Sequence, residues 1–287
     1  MSGYFWSNTI WYCLLAFVTS LVAVYVFVKS ANKKFLLGFG FAVLGLTFIF
    51  ETGILTLFNS YKYNPKISSD PFLDSIIGNY FSQFSLTITG LLFLIFKPAK
   101  IWYLLISTLY FVIEEVFLKL GIYEHFWYRT WYTFVLVLLL LWITNNWYRY
   151  LICFPKKFVY YLTLFLGASA IFSVTVVFFL FTFKIQVFHN VIFPNAYYRN
   201  QAILIVSYRT ISVLLMMILY RMKWKWWWKG VMLGVIFGLH TILVKMGVQS
   251  FKSGFFYIAS FADIIGSYTC VALIAHWLKQ GREENNV

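Results

Sequence analysis

Several side chains able to carry charge stand inside long apolar runs: Glu51, Glu114, Glu115, Lys119, Arg209, His240, Lys245 and Asp263. A charge near the centre of a bilayer costs at least ~2.5–3.5 kcal/mol, so each needs a partner or water. A carboxylate beside a histidine can act as a general base toward water. Carboxylates beside a guanidinium or imidazole can instead bind a solute, or lock helices in register. Lys119 and Lys245 lie near the ends of their runs, where a lysine snorkels to the interface. The remaining six, Glu51, Glu114, Glu115, Arg209, His240 and Asp263, form the candidate polar layer. Counted from the external ends of the runs, most fall within about six to nine residues, or roughly 9–14 Å of depth. The expected pairs are Glu114 with His240, and Arg209 with Asp263 or Glu51.

These residues are positioned by an unusually apolar chain. Of 287 residues, 62% are hydrophobic and 11% charged, against about 45–50% and about 25% in soluble domains. A water-soluble fold is excluded. A crossing helix needs about 20 residues, and on that ruler spans fall near 8–28, 35–58, 75–96, 101–120, 131–152, 158–181, 201–222, 229–248 and 254–278. The expected fold class is all-α, a polytopic helical membrane protein of nine transmembrane helices. Basic residues punctuate the runs: Lys29, Lys33 and Lys34, then Lys97 and Lys100, Lys156 and Lys157, Arg221 to Lys229, and Lys279. With the N-terminus outside, cytoplasmic segments hold twice the basic residues of external ones, as the positive-inside rule requires. The expected location is the plasma membrane, multi-pass, with a cytoplasmic C-terminus. No basic region precedes the first run, which is read as a retained helix rather than a cleaved signal.

The net charge of +14 does not point to nucleic acid, because the basic residues are not gathered on one face of a soluble domain. Partners expected are the lipid bilayer and either a membrane protein or a small solute. The run Arg221-Met222-Lys223-Trp224-Lys225-Trp226-Trp227-Trp228-Lys229 reads as a cytoplasmic interface anchor. Cys13, Cys153 and Cys270 have neither metal-ligand nor redox spacing. Phosphate-binding loops, zinc motifs and a nucleophile elbow are absent from the sequence, so no cofactor or metal is expected. The glycines organise no interface by spacing, apart from one candidate contact at Gly230 and Gly234.

Shifting the chain by 126 residues lays Glu114 to Ile122 on His240 to Val248, with Lys119-Leu120-Gly121 on Lys245-Met246-Gly247. The same shift lays Asp74 on Asn200, Gln83 on Arg209 and Lys97 on Lys223, and a small insertion pairs Pro65 with Pro194. The reading is a single transmembrane domain: an extra helix in 1–34, a four-helix unit in 35–157, a second in 158–279, and a tail in 280–287. A shift of four helices keeps both units in the same orientation, as in parallel repeats. Between helices, Tyr61 to Pro65 with Asp70 and Asp74 is turn-rich, and Asp74 is a candidate cap of the third helix. Glu124 and His125 in the Gly121 to Trp127 loop read as turn and aromatic belt.

Two resemblances follow. Glu114-Glu115 is similar to the Glu-Glu-x-x-x-Arg motif of glutamate-type intramembrane proteases of the CAAX-processing and bacteriocin-immunity family. That likeness implies water activation by a carboxylate and a histidine, with His240 and His276 as the histidines offered. The chain departs from the pattern: Lys119 stands where the family has arginine, Phe237 lies three residues before His240 rather than four, and His276 sits at the cytoplasmic end. Tyr61 to Pro65, the pair Glu114-Glu115 ending in Leu120-Gly121-Ile122-Tyr123, and Trp127 resemble uncharacterised small polytopic membrane proteins of spore-forming, low-GC Gram-positive bacteria. This likeness covers about residues 35–150 and implies a bacterial plasma membrane, with no activity attached. Three classes are carried forward: a permease-like protein, an accessory or structural membrane protein, and an intramembrane hydrolase.

Overall fold

A computed structural model describes residues 4–153, 156–189, 197–222 and 225–284. Pro194, Lys223, Trp224 and residues 285–287 of the tail lie outside the described residues. Among those described, nine helices are long and apolar enough to cross a membrane: α1 Phe5–Lys29, α2 Lys33–Leu57, α3 Pro71–Phe96, α4 Ile101–Lys119, α5 Thr130–Cys153, α6 Lys157–Leu180, α7 Arg199–Arg221, α8 Trp226–Lys245 and α9 Phe256–Lys279. The chain is a polytopic helical membrane protein of the all-α class. The helix limits agree with the hydropathy reading to within a few residues. The start of α3 differs for a local reason: Pro71 occupies its first turn and Asp70 is the N-cap, accepting from the amides of Phe72 at 3.1 Å and Leu73 at 2.8 Å. A fixed proline φ and an acidic cap both favour a start there.

Asp74 therefore does not cap α3. Its carboxylate turns back to the preceding loop and accepts from the amides of Lys66, Ile67 and Ser68 at 2.9, 2.8 and 2.9 Å. The side chain is buried, and a buried acid is tolerable when several amides bond it.

Four short strands were not expected from hydropathy. β1 Tyr61–Tyr63 pairs antiparallel with β2 Tyr123–His125, and β3 Gln186–Phe188 with β4 Gln249–Phe251. Loop backbone next to hydrocarbon must find hydrogen bonds within the protein, and these pairs supply them. Their construction matches closely. α4 and α8 both end on a glycine at φ +69°, Gly121 and Gly247. Ile122 N–H then bonds Phe117 O at 3.1 Å, as Val248 N–H bonds Leu243 O at 3.0 Å. This is a Schellman-type stop, in which only glycine takes the left-handed position without strain. Next, Asn64 N–H bonds Ile122 O and His189 N–H bonds Val248 O, both at 2.9 Å. The amide closing β1, Tyr63, donates to Ser75 Oγ at 3.0 Å, and the amide closing β3, Phe188, donates to Gln201 Oε1 at 2.9 Å.

The bundle centre is the crossing of α2 and α6. A Cβ on Gly45 would stand 2.1 Å from the carbonyl oxygen of Leu166, so the two backbones touch there. Without a hydrophobic drive between helices in lipid, such close backbone packing is a main source of association. Glycine spacing did not reveal this contact, whereas at Gly230 and Gly234, which it singled out, an added Cβ would meet nothing within 4 Å among the described residues. Phe35, Phe39, Leu164, Phe172, Val271 and Ile274 fill the surrounding core. α4 and α8 lie on the flanks, with only 6% and 12% of their apolar stretch buried. α1 latches onto the first strand pair: Tyr12 OH donates to Ile122 O at 2.6 Å, Asn8 Nδ2 to Asn64 O at 2.9 Å and Thr9 Oγ1 to Pro65 O at 2.8 Å.

Candidate functional site

Under the first strand pair, side chains from α2, α3, α4 and α5 meet. The C-terminal part of α2 widens into a π-helical stretch, Thr52–Leu57, directly after Glu51. Glu51 accepts from the hydroxyl of Tyr61 and, at 2.9 Å, from Gln83 Nε2, whose amide also reaches Asn79 Oδ1 at 3.1 Å. Glu114 on α4 pairs with His125 Nε2 at 2.8 Å through Oε1, and accepts from Thr133 Oγ1 at 2.5 Å through Oε2. Glu115 accepts from Thr130 Oγ1 at 2.5 Å. The turn at Gly121 makes the Glu114–His125 pair possible, because it folds β2 back over the end of α4.

The tyrosines of this region form a roof. Tyr61 stacks edge-on against Tyr63 and Tyr128, with centroids 5.6 and 4.9 Å apart, and Tyr63 lies 4.8 Å from Tyr123. Burial first, and then the nearby Glu51 carboxylate, pushes the Tyr61 and Tyr63 hydroxyls well above the usual tyrosine range; burial does the same for Tyr123. Beneath the roof is a cavity of about 260 Å³, far above the ~10–15 Å³ that one water requires. Its polar end holds Glu51, Glu114, Gln83 and the tyrosines, and its far walls are Leu and Ile side chains such as Leu46, Leu140 and Ile143.

A second cluster lies in the other half. The Tyr208 hydroxyl touches His240 Nε2 and donates to Asp263 Oδ2 at 3.0 Å, while His240 Nδ1 meets Ser260 Oγ at 3.0 Å. Asp263 and His240 are both buried. Arg209 stands apart and donates from Nη1 to Ser173 Oγ at 2.5 Å.

The sequence-derived layer is thus two clusters. All six residues lie toward the strand-capped end, within about ten residues of it, or roughly 15 Å along a helix. Glu51, Glu114 and Glu115 gather in the first half, and His240 with Asp263 in the second. The expected pairings do not form. Glu114 takes His125 instead of His240, and Arg209 donates to Ser173 rather than pairing with Asp263 or Glu51. The reason is architectural: with α2 and α6 crossing at the centre, α4 and α8 are on the flanks, and each points its polar residue under its own strand pair. The residue missed was His125, read as belt. Tyr61 and Tyr63 carried a usable signal, since alternation around Lys62 is the period of a strand and puts both rings on one face. No protein-family model, no curated protein and no solved structure matches the chain.

Proposed function

We propose that this is a permease-like, solute-binding protein of a plasma membrane, with the strand-capped end facing outside and the site in the outer leaflet. The observation that carries the reading is the cavity beneath the tyrosine roof, which combines one polar end with apolar walls, as small-molecule sites do. The orientation rests on Lys29, Lys33, Lys34, Lys97, Lys100, Lys156 and Lys157, which gather at the opposite end. The matching hydrogen bonds around Gly121 and Gly247 support two units of one design, of which the first holds the cavity and the second carries the Tyr208, His240 and Asp263 contacts.

Accessibility tests the cavity. In a chain with Cys13, Cys153 and Cys270 replaced by alanine, single cysteines at Ser82 and Leu136, both lining the cavity, should react with a small uncharged maleimide. A cysteine at the buried Ser267 should not. Protection of both lining positions to the level of Ser267 would remove the reading. The Glu114–His125 contact favours a second reading, hydrolysis, because a carboxylate and an imidazole together can take a proton from water. Glu114→Gln would then abolish turnover while leaving solute affinity intact.

A further inference from the structure

We propose that the cavity takes a lipophilic cation, an amine or quaternary ammonium head with an apolar body. The inference rests on the cavity reading above and names the class of its solute. Four observations converge on it.

The first is the sign of the wall. Among the described residues, the charged side chains lining the cavity are Glu51 and Glu114, and neither lysine nor arginine lines it. The second is the state of Glu51. Its two partners, the Tyr61 hydroxyl and the Gln83 amide, are neutral donors, whereas Glu114 has His125. A carboxylate in low dielectric without a counter-ion is costly, and a cationic head beside Glu51 supplies the missing charge.

The third observation is aromatic. The hydroxyls of Tyr12, Tyr61 and Tyr128 are committed, to Ile122 O, Glu51 and Thr133 respectively. What these residues offer a solute is the ring, which attracts cations through its quadrupole. The fourth is the route for the body. Among the lining residues, Phe50 on α2 and Leu139 and Ile143 on α5 are also exposed on the outside of the bundle. The cavity therefore reaches the lipid-facing surface between α2 and α5, where an amphiphile is dissolved.

The test uses the full chain in lipid nanodiscs and two probes of equal shape: benzyltrimethylammonium and its uncharged carbon isostere, neopentylbenzene. Binding to empty nanodiscs is subtracted. The cation should bind at least tenfold more tightly than the isostere, and Glu51→Gln should bring the two within threefold while the isostere affinity stays unchanged, which also reports that the variant is folded. Should Glu51→Gln lose isostere binding as well, Tyr61→Phe replaces it: the ring is kept and the carboxylate loses a donor that favours its charged form, so cation affinity should fall while isostere affinity stays unchanged. Cation affinity that is unchanged or raised there overturns the proposal. Equal affinity of both probes for the unmodified chain overturns the charge class and leaves the cavity reading standing. Failure of both probes to bind removes the cavity reading and this proposal together.

Discussion

Gly45→Ala measures how closely α2 and α6 are fitted. The added methyl would lie 2.1 Å from the Leu166 oxygen, 2.7 Å from its carbonyl carbon and 3.1 Å from its Cα. A carbon meets a carbonyl oxygen comfortably at ~3.3 Å, so α2 and α6 must separate by roughly 1.2 Å at the crossing. Because the obstacle is backbone, no side-chain rotation relieves it. A gap of 0.5–1 Å already forfeits about a quarter to a half of each dispersion contact, and overpacking typically costs about 1–3 kcal/mol. In lipid no hydrophobic gain offsets the loss, so about 3 kcal/mol is expected. At ~2–4 °C per kcal/mol for a chain of this size, the midpoint of thermal unfolding in detergent micelles should fall by roughly 6–12 °C. Gly53→Ala is the control, since a Cβ there meets nothing within 4 Å among the described residues; it should be neutral, or gain up to ~1 kcal/mol of helix propensity. Equal midpoints for Gly45→Ala and the unmodified chain would refute the close crossing.

Asp74→Ala strips three loop amides of their acceptor and should cost about 3 kcal/mol, read as faster proteolysis between Lys66 and Asp70. Gly121→Ala and Gly247→Ala should each cost about 1–2 kcal/mol; a difference above 1 kcal/mol between them would argue against a shared loop design. A double-mutant cycle on Glu114 and His125 should give a coupling of about 1 kcal/mol or more, and zero coupling would show the pair to be incidental. Alkaline titration should separate two tyrosine populations by absorbance at 295 nm. Tyr61, Tyr63 and Tyr123 have hydroxyls raised in the folded state, so their contribution to stability is complete below the ordinary tyrosine pKa of about 10 and is lost as pH rises beyond it. Unfolding without a step above that pH would contradict their burial.

The helices were legible because the bilayer imposes length and hydropathy on any span, and nothing in tertiary packing overrides that. The membership of the polar layer was legible for the same reason: charge in hydrocarbon is conspicuous. Its partition was not. Whether Glu114 meets His240 or His125 depends on where α4 sits in the bundle, and the crossing that decides this is made by Gly45, whose only sequence trace is the lack of a side chain. The strands were hidden by brevity, since three residues give too little alternation to outweigh neighbouring apolar runs. Asp74 was misassigned because a cap and a loop clamp draw on the same residue type, and only the proline at position 71 distinguishes them.

The antiparallel pairing of Tyr61 with His125, and of Gln186 with Phe251, closes two segments of chain into rings, each hanging a helical hairpin from a strand clasp. Tension applied at the two termini passes through the clasps and leaves the hairpins slack behind them. Mechanical extraction from a membrane should therefore proceed in discrete releases, each yielding the contour length of an entire ring once its few interstrand bonds give way.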